Sequence, residues 1–118
     1  MSYDIELQDP KTGEVLLSEQ KHNLKGGTYI VGGTSKLWLN VTYNYAPHFR
    51  AVLGENGIRS LYGMTGEQSI PVLKKAISCL DVGKDEDYWS PTEGNARKAL
   101  IDLLELARIR PDGVWSGD

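Results

Sequence analysis

A single cysteine, Cys79, and only two histidines, His22 and His48, set the first limits on this 118-residue chain. One thiol cannot close an intrachain disulfide, and without a second cysteine no thiolate cluster for zinc can form. Cys79 is therefore expected to be a small apolar residue on a helix. Neither histidine stands at metal-ligand spacing from another ligand type, so no metal and no cofactor is expected. Basic residues are also in deficit, with a net charge of -3 and a pI near 5.4, which argues against broad nucleic-acid binding. No apolar run approaches the roughly 20 residues of a membrane span, and residues 1–9 lack the basic start and apolar core of a secretory signal. The expectation is a cytoplasmic protein of one domain spanning 1–118.

What is present is strand alternation first and helix periodicity later. The organising stretch is 26–45, where Leu37, Leu39, Val41 and Tyr43 alternate with Trp38, Asn40, Thr42 and Asn44. That two-residue period gives one face to a core and leaves the other an indole, carboxamides and a hydroxyl. Upstream, Tyr3, Ile5 and Leu7 alternate with Asp4, Glu6 and Gln8, and the turn residues Asp9-Pro10-Lys11-Thr12-Gly13 lead back into Val15-Leu16-Leu17 as a hairpin. Residues 18–25 are polar and read as a loop. The paired glycines at 26–27 and 32–33 bracket a short strand over 29–31, and because they lead into a strand rather than a helix they predict turns, not a phosphate cradle.

Beyond Tyr45, Pro47 predicts a short helix to Leu53, closed by Gly54, and 58–62 reads as an irregular or helical segment closed by Gly63. Two caps compete for the next helix: Thr65, with Gln68 completing a capping box, and Ser69, which keeps Pro71 in the first turn and is preferred on that ground. Ile70, Leu73, Ala76, Ile77 and Leu80 form its apolar stripe. The acidic loop 81–87 lacks the residue order of a calcium loop. Ser90-Pro91-Thr92-Glu93 then predicts a helix from a Ser90 cap to Ile109, with Ala96, Leu100, Leu103, Leu104 and Ala107 inward and Arg97, Asp102, Glu105 and Arg108 outward. Pro111 stops it, and Trp115 predicts a tail docked on the fold. The fold class expected is α+β: a small antiparallel sheet of about four strands, a meander, followed by two or three helices packed on one face.

No nucleophile–base pair, carboxylate pair or metal cluster stands out, so no catalytic residue is expected. Aromatics, arginines and carboxamides do gather into three groups: Asn40, Tyr43, Asn44, Tyr45, His48 and Arg50 at the strand exit, Arg59 and Tyr62 next, and Tyr88, Trp89, Glu93 and Asn95 before the last helix. Arginine forks match phosphate or carboxylate, and aromatic rings stack on bases. The expected ligand-binding residues are Asn40, Asn44, Tyr45, His48, Arg59, Trp89 and Asn95, and the expected ligand is a small molecule of nucleotide type.

The strings Gly-Gly-Thr-Tyr at 26–29, Leu-Trp-Leu-Asn-Val-Thr-Tyr-Asn-Tyr at 37–45, Gly-Ile-Arg-Ser-Leu-Tyr-Gly at 57–63, Thr-Glu-Gly-Asn-Ala at 92–96 and Arg-Pro-Asp-Gly-Val-Trp at 110–115 resemble a family of small proteins encoded in bacterial prophages and mobile elements. The resemblance implies a phage-side accessory role, such as sequestering a host signalling molecule or inhibiting a host protein. Three readings therefore stand open. The first is a non-enzymatic binding module, with ligand held by one chain or between copies of a homo-oligomer. The second is a protein-interaction module using a strand edge or the Trp115 tail. The third is a small-metabolite enzyme with His48 as base and nearby tyrosines as proton donors.

Overall fold

A computed structural model describes residues 2–22, 34–81 and 91–118. The chain is α+β. Among the described residues five strands, β1 (Ser2–Gln8), β2 (Leu17–His22), β3 (Thr34–Lys36), β4 (Trp38–Thr42) and β5 (Val114–Gly117), accompany three α-helices, α1 (Ala46–Leu53), α2 (Gly66–Ser78) and α3 (Glu93–Ile109). The expected strand at 29–31, the paired glycines, the acidic loop from 82 onward, Trp89 and the Ser90 cap lie outside the described residues.

β1 is the centre of a three-stranded antiparallel sheet of order β4-β1-β5. Its alternation is realised as read: Tyr3, Ile5 and Leu7 are buried, and they face Val41, Leu39 and Trp115 in the register of the neighbouring strands. The hairpin turn is also present, closed by Asp9 N–H to Glu14 O at 2.8 Å and by Leu16 N–H to Leu7 O at 2.8 Å. The meander is not. β2 leaves β1 after the turn and pairs with β3 in a separate two-stranded sheet, so residues 18–22, expected as loop, are strand. Leu17 is 55% exposed and the rest of β2 is polar, so this ribbon lacks the one-sided apolar alternation by which strands are recognised.

The C-terminal segment is a strand rather than a docked tail. β5 lies along β1, and its other edge is occupied by residues 63–66 through Gly63 N–H to Trp115 O, Trp115 N–H to Met64 O (both 2.9 Å) and Gly66 N–H to Gly113 O (2.7 Å). The Trp115 indole is 1% exposed, and its Nε1–H donates to Ser69 Oγ at 2.7 Å, whose hydroxyl donates in turn to Gly66 O at 2.7 Å. A buried indole N–H needs such an acceptor.

This network decides where α2 begins. Thr65, not Ser69, is the N-cap: its side chain accepts from Gln68 N–H, and Gln68 Oε1 accepts from Thr65 N–H, each at 3.0 Å. Glu67 N–H finds Pro111 O at 2.9 Å, so the first-turn donors are satisfied by the chain after α3. Pro71 then sits inside the helix, where it forfeits one backbone bond. The capping box and the tie to β5 outweigh that loss, and Ser69 is left free for the indole. Gly66 is required here because a Cβ would come within 2.9 Å of Arg110 O.

α2 and α3 pack on each other and on the sheet around a core that includes Phe49, Ile58, Leu61, Leu73, Leu100 and Leu103, all wholly buried. The inward positions expected for α3 are all buried, but its cap is Thr92, whose Oγ1 accepts from Asn95 N–H at 3.1 Å. Asp102, expected outward, is 7% exposed and ion-paired with Lys98 one turn earlier. Cys79, expected buried, is exposed at the α2 C-cap. No helix among the described residues is long and apolar enough to cross a membrane.

Two stability predictions follow from these contacts. Ser69→Ala should cost about 1–3 kcal/mol in urea unfolding by stranding the indole N–H, and Trp115→Phe in that background should cost less than in the wild type, since the shared bond is already gone. Burial holds the Asp102 carboxyl above its ordinary pKa while Lys98 pulls it down. The ionised form is the costly one, so this group favours the fold most below the ordinary carboxylate pKa and least above its raised folded value. Lys98→Met should therefore destabilise by about 1–3 kcal/mol near neutral pH and by almost nothing in acid, and Asp102→Asn should flatten that difference, both read from unfolding midpoints across pH.

Candidate functional site

Where β1 begins and β5 ends, four elements bring aromatic rings and charges together. Tyr3 projects from β1 and Tyr43 from the 3-10 turn Tyr43–Tyr45 that follows β4, and their rings meet edge-on at 4.5 Å between centroids. Tyr3 also leans on Phe49 of α1 at 6.4 Å. A second 3-10 helix, Gly57–Leu61, carries Arg59, whose guanidinium carbon lies 5.2 Å from the Tyr3 ring centroid and 5.8 Å from that of Tyr43. Both distances are within cation–π range.

The last residue described fixes the guanidinium. Arg59 Nε–H donates to Asp118 Oδ1 at 3.0 Å, and the Tyr62 hydroxyl donates to the same oxygen at 3.2 Å. Asp118 takes a φ of +93°, uncommon for a residue with a side chain, and its N–H continues the β1–β5 ladder to Asp4 O at 3.0 Å. Tyr62 lies so close over the preceding residue that only glycine fits there: a Cβ on Gly117 would come within 2.5 Å of the phenol oxygen. Burial first, then the Asp118 charge, pushes the Tyr62 hydroxyl well above its ordinary pKa, so it remains a donor at neutral pH. Burial also raises Tyr3, against the opposing pull of Arg59 and, more weakly, Arg50.

Arg50 is thus a second cation on this patch. It is exposed on α1, its stem lies against Gly57, and among the described residues it has no ion pair. Arg59 engages Asp118 through Nε alone; its Nη atoms have no hydrogen bond to the described residues, and its side chain is 49% exposed. The rings do not themselves offer a stacking platform, since Tyr3 is 6% exposed. They hold the guanidinium, whose side chain remains half exposed.

The other expected site residues fall elsewhere. Asn40 is buried on the sheet face opposite Tyr3, its Nδ2 donating to Ser2 Oγ at 2.7 Å and Asp4 Oδ1 at 2.9 Å. Tyr45 is wholly buried and packs perpendicular to Phe49 at 6.1 Å, so it belongs to the core. Asn44 is exposed beside Tyr43. His48 Nε2–H donates to Pro91 O at 2.7 Å, which ties α1 to the entry of α3. Asn95 is buried in the first turn of α3. Asn44, His48 and Asn95 therefore border the junction of α1 and α3, apart from Arg59. Tyr3 and Asp118 are members of the Arg59 patch that sequence reading missed; the exposed, charged end of a tryptophan-anchored segment was the one signal for Asp118. No group of three or more metal-ligating side chains occurs among the described residues.

Comparison with protein-family models, curated proteins and solved structures finds no match to this chain.

Replacing the Asp118 carboxylate by an amide removes a neighbouring negative charge from Tyr62. Asp118→Asn should lower the Tyr62 pKa toward the ordinary phenol value without reaching it, because burial remains. Carbon-13 chemical shifts of the tyrosine Cζ atoms across alkaline pH would measure this.

Proposed function

We propose that the chain is a non-catalytic binding module for a small anionic ligand of nucleotide type, engaged through Arg59. The observation that carries this reading is a half-exposed guanidinium held by two tyrosine rings and by one carboxylate at Nε, with no Nη hydrogen bond to the described residues. Most exposed arginines are mobile, and ordering them costs entropy on binding. Here that ordering is already done by protein contacts, and a planar fork presented in one orientation suits a bidentate phosphate or carboxylate. Arg50 adds a second positive charge to the patch, in a chain whose net charge is -3. The prophage resemblance gives such binding a setting, the capture of a host signalling molecule.

Arg59→Ala should weaken nucleotide binding by at least about tenfold, and Arg59→Lys should recover little of it, because an ammonium keeps the charge but not the fork. Arg50→Ala should have a smaller effect that fades as salt is raised. Native mass spectrometry of wild type and variants incubated with a nucleotide mixture reads all three, and equal retention by Arg59→Ala would place the ligand elsewhere.

A further inference from the structure

We infer a second binding site, for the ring of a neutral sugar, on the sheet face turned away from the helices. Even-numbered residues of β1 face that side, and the register pairs Glu6 with Trp38 across it. After β3 the chain turns out of the two-stranded ribbon into the main sheet at Leu37, which is held by Leu37 N–H to Leu16 O and by Leu7 N–H to Leu37 O, each at 3.0 Å. Thr34, Lys36 and Trp38, every second residue through this corner, share a groove of about 490 Å³ with Glu6 and Val15. Trp38 is only partly buried, so one wall of the groove is accessible indole.

The polar groups have capacity to spare. Glu6 Oε2 accepts from Gln8 Nε2 at 3.1 Å, and Oε1 has no partner among the described residues. Lys36 uses its backbone N–H and C=O, to Thr34 Oγ1 at 3.1 Å and from His22 Nε2 at 2.6 Å, while its ammonium has neither an ion pair nor a hydrogen bond among the described residues. Among the described lining residues one carboxylate and one ammonium share the groove without meeting, so their charges offset and they favour neither an anion nor a cation. A ring hydroxyl can donate to Glu6 and accept from Lys36. The indole gives the apolar C–H face of a pyranose a flat surface for dispersion contact. A neutral polyhydroxylated ring uses all three features together.

The test is titration of nitrogen-15-labelled protein with methyl glucoside and methyl galactoside, following the Trp38 indole N–H resonance, with that of buried Trp115 as the internal control. A saturable shift confined to Trp38, with the affinity lowered about tenfold in both Glu6→Gln and Lys36→Met, is the expected result. Both substitutions are at partly or fully exposed positions and remove the charge while keeping an unbranched side chain, and Arg59→Ala should leave the response intact, which separates this site from the anion site. An unmoved Trp38 resonance, a shift equal in the variants and the wild type, or a shift given by a small zwitterion such as taurine but not by the glycosides would overturn the assignment.

Discussion

The hydrogen bond from the Trp115 indole to Ser69 is the contact on which the rest of the arrangement depends. It is buried, it joins residues 46 positions apart, and its acceptor is committed in turn to Gly66 at the start of α2. Through it the last strand is fixed at once to the sheet and to a helix. β5 lies between β1 and residues 63–66, and each neighbour satisfies backbone groups that an edge strand would otherwise expose. The same wedge sets the cap of α2 at Thr65 and makes a proline inside that helix tolerable. Local propensity is overruled by a tertiary contact that supplies more than the lost backbone bond.

Placement of β5 also delivers Asp118 to Arg59. The strand register carries Gly117 opposite Ile5, and the next residue meets Arg59 on the 3-10 helix that follows α1 and Tyr62 just beyond it. Tyr3 comes from β1, far from Asp118 in the sequence. A guanidinium between two rings and a carboxylate is thus a product of the topology: it exists only when β1 and β5 lie side by side in one sheet. Ring and carboxylate contacts order it before any ligand arrives, which supports the proposed binding role for what is otherwise a half-exposed ion pair.

Much of this fold is legible in the sequence where the signal is local. Alternation located β1 and β4, Pro47 and Gly54 bounded α1, and the apolar stripes of α2 and α3 named their buried positions. What failed was non-local. Past Leu17 the β2 sequence is Ser-Glu-Gln-Lys-His and the strand pairs outside the three-stranded sheet, so no apolar alternation marks it. Asp102 looks like an outward charge until Lys98 is seen to compensate its burial. At the site, arginine 59 was legible by type, but its partner Asp118 lies 59 residues away and no spacing rule connects them. Tyr45 illustrates the converse: a tyrosine beside two carboxamides reads as a ligand contact, and the 3-10 turn rotates it into the core instead.

The central claim is that Arg59 is held rigid in the free protein and is the group that meets the ligand. The direct measurement is the Arg59 Nε–Hε resonance in a nitrogen-15 spectrum, recorded free and during titration with a mononucleotide. The account predicts a resolved, exchange-protected signal in the free protein, because Asp118 accepts that hydrogen, and a saturable shift as nucleotide is added. A signal averaged and exchanging as fast as that of an exposed arginine such as Arg108, or one unmoved at nucleotide saturation, would contradict it.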